Sequence, residues 1–142
     1  MADKLFIDTW GWLALRDRRE HRHADAALLY THHRAQGGIM YTSDYVLDET
    51  FTLLFRRLPF TQASDSIQTI EQAIEQGYLI LERITPSRFE AAKVLRLKFD
   101  DKPDISFTDL TSMVVMVEAG IAQIMTADAH FAHVGMGFQC MP

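Results

Sequence analysis

Four acidic residues stand where their carboxylates could act together on a metal ion. Asp8 and Asp128 each follow a short apolar run, Glu49 lies on a predicted helix, and Asp109 lies at the start of another. Carboxylate oxygens are the preferred ligands of hard divalent cations such as Mg²⁺ and Mn²⁺. A site of that kind supports phosphoryl or phosphodiester transfer, because the metal activates water and neutralises charge on the transition-state phosphate.

Each of these acids also has a purely structural explanation. Asp8 and Asp128 could cap helices, and Asp109 falls at the third position of a capping box that begins at Ser106. Glu49 borders the apolar stripe of its helix, where a carboxylate needs a cation or a partner unless it reaches solvent. If the four acids converge, mutual repulsion raises their pKa values unless a cation is bound.

The elements that must position these residues alternate along the chain. Residues 4–7, 39–42, 78–81, 121–125 and 138–141 are predicted to form strands, and residues 9–16, 24–34, 44–57, 61–76, 85–98 and 107–119 are predicted to form helices. This order predicts an α/β fold, a three-layer sandwich with a mostly parallel, about five-stranded sheet. Ligands of such sheets bind beyond the carboxyl ends of the strands, where Asp8 and Asp128 are expected.

Length and composition favour a single domain, residues 1–142, in the cytoplasm. Hydrophobic residues make up 48% of the chain and charged residues 23%, the formal net charge is −5, and no signal peptide is apparent. No apolar run reaches the roughly 18 residues that span a bilayer, so no membrane partner is expected. The single cysteine, Cys140, excludes an internal disulfide and is expected in the core.

Other kinds of site have little support in the sequence. No phosphate-binding P-loop and no dinucleotide-binding glycine motif follows the first strand. Two histidine pairs, His21 with His23 and His130 with His133, lack clear supporting ligands and are expected at the surface. The charged segment 17–23 is either a solvated loop or a rim that holds phosphates.

Four short motifs together resemble those of PIN-domain ribonucleases, and most of all the VapC-type toxins of type II toxin–antitoxin modules. The motifs are residues 5–9 (LFIDT), 42–49 (TSDYVLDE), 106–109 (SFTD) and 126–131 (TADAHF). The resemblance implies a PIN-like fold and a Mg²⁺- or Mn²⁺-dependent endoribonuclease with a cognate antitoxin. The family's acidic positions fall on Asp8, Glu49, Asp109 and Asp128. Its supporting hydroxyl falls on Thr126, and Ser43 and Asp104 are further candidates for supporting the site.

Two alternatives to a ribonuclease toxin stay open from the sequence. The chain could be a catalytically silent PIN-like scaffold that only binds, or another metal-dependent phosphoesterase. Consecutive predicted helices also carry more apolar surface than a small sheet can cover, at Phe51, Leu54, Phe55, Phe60 and Ile67. We expect a homodimer, an antitoxin segment or both to cover this surface, unless the two helices simply pack on each other.

Overall fold

The computed structural model describes residues 3–142, in which five strands and seven helices alternate. The strands are β1 (Lys4–Ile7), β2 (Ile39–Ser43), β3 (Leu79–Glu82), β4 (Gln123–Met125) and β5 (Gln139–Met141). The helices are α1 (Thr9–Arg16), α2 (His23–Ala35), α3 (Asp44–Arg57), α4 (Phe60–Glu75), α5 (Pro86–Lys98), α6 (Phe107–Ala119) and α7 (His130–His133). The predicted α/β class is therefore confirmed.

All strand pairs in the central sheet are parallel, and the strand order is β3-β2-β1-β4-β5. The chain moves outward from β1 to β3 and then crosses back to β4 and β5. Because such crossovers are right-handed, this reversal places helices on both faces of the sheet. It also creates a topological switch point between β1 and β4, the place where ligands bind in open α/β sheets.

The core is built on the central strand. Leu5, Phe6 and Ile7 of β1 are fully buried, as expected for a parallel strand that is covered on both faces. The middle of α6 has no polar face, and Met113, Val115 and Met116 are likewise inaccessible. Burial of these side chains holds β1 and α6 rigidly, and both elements carry acids at the ends that meet the carboxyl edge.

The boundary between α6 and β4 differs most from prediction. The strand was expected from residue 121 but begins at Gln123. Gly120 ends the helix in the left-handed conformation, with φ of 68°, and the N–H of Ile121 donates to the carbonyl of Met116 at 2.8 Å. Ile121 is buried, but its backbone therefore completes a helix cap instead of a strand ladder.

The apolar surface of α3 and α4 is smaller than the sequence predicts. Leu54 is fully buried and packs with Leu13 of α1 and Ala63 of α4, so its inclusion in that surface was wrong. Phe51 and Ile67 are half-buried. The exposed part is formed by Phe55 and Phe60, at 39% and 75% exposure.

Two further features bear on the predictions from composition. Within residues 3–142, every helix is too short or too polar to cross a lipid bilayer. Cys140 lies half-buried in the edge strand β5, packed against the core rather than inside it.

Candidate active site

The predicted acids meet at the carboxyl edge of the sheet. Ile7 pairs with Met125 in the register of β1 and β4, so the two strands end side by side. Asp8 and the segment 126–128 therefore leave neighbouring strands at the same level. The first turn of α6 carries Asp109 to the same point. The carboxyl group of Asp109 contacts Asp128, and the charge of Asp8 raises the pKa of Asp109.

Asp8 is a buried carboxyl group that also caps a helix. It is 5% exposed, and its Oδ1 accepts the N–H of Gly11 at 3.0 Å at the start of α1. Burial raises the pKa of Asp8 from 3.8 to about 7, against the lowering effect of hydrogen bonds from Thr126 and Gly11. The charges of Asp128 and Glu49 raise this pKa further. Asp8 is therefore both a helix cap and a member of the cluster of acids.

Thr126 connects two of the acids through one hydroxyl group. Its side chain is buried and its oxygen accepts the N–H of Asp128 at 3.0 Å. The hydroxyl proton is then free to be donated to the carboxylate of Asp8. Thr126 thus fixes Asp8 relative to the start of the loop that carries Asp128.

Asp109 is positioned by the cap of α6. Ser106 accepts the N–H of Asp109 at 3.0 Å, which sets the first helical turn. Burial raises the pKa of Asp109 to about 8, and a hydrogen bond with Asp128 raises it further, as do the charges of Asp128 and Asp8. Two carboxyl groups that share a hydrogen bond in this way hold a proton between them when no cation is present.

The remaining acidic and hydroxyl candidates differ in their placement. Glu49 is exposed, so its carboxylate reaches solvent, yet it lies close enough for its charge to raise the pKa of Asp8. Ser43 is buried and caps α3, accepting the N–H of Val46 at 3.1 Å. Asp104 is exposed in the loop before α6, and within residues 3–142 no hydrogen bond or ion pair joins it to the four acids.

His130 lies beside the candidate site, which the sequence analysis did not expect. It was expected in a surface pair with His133, but its Nδ1 lies 2.9 Å from Oδ1 of Asp128. Ligand atoms of Asp109, Asp128 and His130 all lie within 4.8 Å of one another. The signal for this placement was the spacing Asp128-Ala129-His130, in which a tight turn brings the two side chains to one side.

The segment Trp10-Gly11-Trp12 has a structural role beneath the acids. A Cβ atom on Gly11 would lie 2.8 Å from both Cγ2 of Ile7 and the carbonyl oxygen of Met125, so only glycine lets α1 approach the sheet this closely. Trp12 donates its indole N–H to Thr42 at 3.1 Å, and Thr42 donates to the carbonyl of Ile7 at 3.0 Å. This buried chain fixes the end of β1.

Most of the charged segment 17–23 is bound to the protein itself. Arg19 pairs with the buried Asp17 at 3.1 Å and donates to the carbonyl of Arg57 at 2.6 Å. Arg22 lies over the ring of Trp10 and donates to the carbonyl of Pro142 at 2.8 Å. Contacts within the protein therefore hold Arg19 and Arg22, which disfavours a free phosphate-binding rim formed by these two residues.

The chemistry of the pocket suits a hard divalent cation. Two of its carboxyl groups have pKa values raised to about 7 and about 8. The charges that act on these two groups inside the pocket are those of other acids, so a cation would relieve the repulsion. Mg²⁺ and Mn²⁺ are examples of ions that prefer oxygen-rich donor sets of this kind.

The chain is similar to a characterised protein along most of its length. No model of a known protein family matches the chain. The chain is 31% identical over 132 residues to the 23S rRNA-specific endonuclease VapC20 of Mycobacterium tuberculosis, covering 92% of this chain and 94% of that protein.

Two solved structures resemble the fold. The crystal structure of the same VapC20, described as a toxin that cleaves the sarcin–ricin loop, superimposes with a TM-score of 0.78 and 30% identity over 92% of this chain and 95% of that one. VapBC2 of Rickettsia felis, solved on a DNA fragment of its promoter, has a TM-score of 0.70 at 13% identity, over 98% and 99% of the two chains. The second likeness concerns the fold alone.

Proposed function

The chain belongs to the VapC family of PIN-domain toxins, and from this we propose that it is a metal-dependent endoribonuclease that hydrolyses RNA phosphodiester bonds. The observation that carries the proposal is the convergence of Asp8, Asp109 and Asp128 at the switch point of the sheet. A binding scaffold has no need of buried carboxyl groups that destabilise one another, so this observation disfavours a catalytically silent domain.

Asp8, Asp109 and Asp128 would hold Mg²⁺ or Mn²⁺, with Glu49 completing the set from the solvent side. When bound, the metal activates a water molecule and neutralises charge on the phosphate. Thr126 orients the carboxylate of Asp8 through its hydroxyl group. The Ser106 cap orients Asp109, and the buried chain from Trp12 to Thr42 keeps the end of β1 in place. Ser43 supports the site indirectly, because it caps the start of α3, the helix that carries Glu49.

The substrate is RNA, and 23S rRNA is the first candidate because the relative from Mycobacterium tuberculosis is specific for it. A net charge of −5 argues against binding of RNA by broad electrostatic attraction. We infer that recognition depends on the shape of a particular RNA loop, which a few local contacts can read.

A protein antitoxin is the proposed partner, since the chain belongs to the VapC family of toxins, and membership of that family implies a cognate antitoxin. We also propose a homodimer, supported by the exposed rings of Phe55 and Phe60, which pack edge to face at 5.5 Å with their outer surfaces uncovered. Its place of action is the cytoplasm, where ribosomal RNA is accessible.

The test is cleavage of purified ribosomes and total RNA by the protein, with EDTA, with Mg²⁺ and with Mn²⁺. We expect discrete cleavage products with either metal and none with EDTA. A small phosphoester, such as a nitrophenyl phosphate, is the control substrate, and faster turnover of that compound than of RNA would favour a general phosphoesterase. Metal binding with no cleavage of any RNA would instead indicate a scaffold.

A further inference from the structure

His130 contacts the acidic pocket with a ring nitrogen that has no hydrogen-bond partner within residues 3–142. We propose that this nitrogen, Nδ1 of His130, is a ligand of the metal ion, so that the site is a mixed nitrogen and oxygen site. The proposal rests on the proposed function, since it concerns the same metal. Its consequence is a preference for ions that accept imidazole, such as Co²⁺, over Mg²⁺.

The position of the ring fits coordination better than a hydrogen bond. Nδ1 lies 2.9 Å from Oδ1 of Asp128, yet it is buried and makes no hydrogen bond in the part of the chain that the structure describes. Two ligands at neighbouring corners of an octahedron, with bonds of about 2.1 Å, lie about 3.0 Å apart. A contact of this length without hydrogen-bond alignment is what two ligands of one ion show, and Asp109 offers a third atom within 4.8 Å.

The backbone holds the ring and the carboxylate in this relation. Oδ1 of Asp128 accepts the backbone N–H of His130 at 2.9 Å, which closes a tight turn between the two residues. The next residue, Phe131, is fully buried and packs against Phe138, with ring centroids 6.2 Å apart. His130 therefore begins a helical turn that is anchored to the core, so little conformational freedom is lost when an ion binds.

An ion pair between a protonated His130 and Asp128 is the competing explanation. A protonated ring would place its N–H along the line to the carboxylate oxygen, because a charge-assisted hydrogen bond favours that alignment. The observed contact lacks it. In addition, an imidazolium would compete with the metal for Asp128, whereas a neutral ring adds a ligand. The two explanations predict opposite effects of removing His130 on metal affinity.

Electron spin-echo spectroscopy of bound Mn²⁺ distinguishes them, because nitrogen-14 coupling reports a directly bound imidazole. The full-length protein is loaded with Mn²⁺ as wild type, His130→Ala, His130→Gln and His133→Ala. His133 is the matched control, an exposed histidine on the same short helix. We expect the coupling in wild type and His133→Ala, and its loss in both His130 variants while Mn²⁺ remains bound.

Affinities for Co²⁺ and Mg²⁺, measured by calorimetry, provide the second readout. Removing His130 should lower the ratio of Co²⁺ to Mg²⁺ affinity at least about tenfold, and His133→Ala should leave the ratio unchanged. If one His130 variant fails to fold, the wild-type spectrum and the other His130 variant still show whether His130 binds the metal.

Several outcomes would overturn the inference, and the first of them separates it from the proposed function. Wild type that binds Mn²⁺ and cleaves RNA without nitrogen coupling would remove His130 from the site and leave the ribonuclease in place. Wild type that binds no Mn²⁺ would overturn both. Coupling that persists in the His130 variants, or tighter metal binding by them, would also contradict ligation by His130.

Discussion

Gly11 controls how closely α1 can lie against the sheet under the acidic pocket. We predict that Gly11→Ala destabilises the protein by about 1 to 3 kcal/mol, because the added methyl group overpacks a site with neighbours at 2.8 Å. Replacing glycine with alanine inside a helix normally stabilises by about 0.5 to 1 kcal/mol, so the sign of the effect is diagnostic. Thermal melting measures it, and an increase in stability would show that α1 can move away at no cost.

Asp8 is expected to contribute to catalysis at the expense of stability. We predict that Asp8→Asn abolishes RNA cleavage and, above pH 7, stabilises the metal-free protein by about 1 to 3 kcal/mol. The reason is that burial has raised the pKa of Asp8 to about 7. Asparagine removes the charge and still caps the helix. Cleavage assays and melting in EDTA test both effects, with the exposed Asp100→Asn as control. If Asp8→Asn cleaved RNA at the wild-type rate, Asp8 would be only a helix cap and not part of the catalytic site.

Asp8, Asp109 and Asp128 could be recognised as candidates from the sequence because each stands at the end of a strand or at the start of a helix. Glu49 could be recognised because it borders the apolar stripe of its helix. His130 could not, since a histidine in a short polar segment resembles many surface histidines. Its position depends on the turn closed by Asp128 and on the burial of Phe131 behind it. Neither of these contacts can be inferred from periodicity.

At the level of elements, the first turn of α6 is what places Asp109. We predict that Ser106→Ala costs about 1 kcal/mol of stability and also weakens metal binding, because the cap that fixes Asp109 is lost. Thr85→Ala is the matched control, since Thr85 caps α5 through the N–H of Arg88 at 3.2 Å. The control should lose similar stability and keep its metal affinity. Equal metal affinity in both variants would show that the Ser106 cap does not position Asp109 for metal binding.

Helix and strand positions followed from apolar periodicity to within a few residues, and the caps Asp8 and Ser106 could be identified from residue type. The start of β4 could not be predicted, because Ile121 is equally apolar in a strand or in a helix cap. The exposure of Glu49 could not be predicted from the sequence either. Glu49 lies at the border of the apolar stripe of α3. Whether its side chain points to the core or to solvent therefore depends on how α3 is tilted against α1.

At the scale of the whole molecule, the exposed pair Phe55 and Phe60 is the surface we assign to a homodimer. We predict that Phe60→Ser shifts the protein from dimer to monomer in light scattering, because Phe60 is 75% exposed and loses its apolar contact area. Leu97→Ser is the control, since Leu97 on α5 is 80% exposed and should leave the assembly unchanged. A wild-type protein that is monomeric at all concentrations would contradict the assignment.

Stability should depend on pH in a direction set by the pocket. In the folded protein, burial raises the pKa of Asp8 from 3.8 to about 7 and that of Asp109 to about 8. Between these values and the unfolded pKa, the folded state binds more protons than the unfolded chain, so the free energy of unfolding falls as pH rises. One pKa unit corresponds to about 1.4 kcal/mol, which makes a loss of several kcal/mol from about pH 4 to about pH 8.

A divalent metal should reverse this dependence. It binds the ionised pocket and not the unfolded chain, so the metal-bound protein is stabilised most where the metal-free protein is weakest. Melting of wild type in EDTA and in Mg²⁺ or Mn²⁺, from about pH 5 to about pH 8, should give curves that diverge as pH rises. Asp8→Asn should flatten the EDTA curve, because one of the two shifted carboxyl groups is gone. Parallel curves for wild type with and without metal would mean that the acids do not hold the ion.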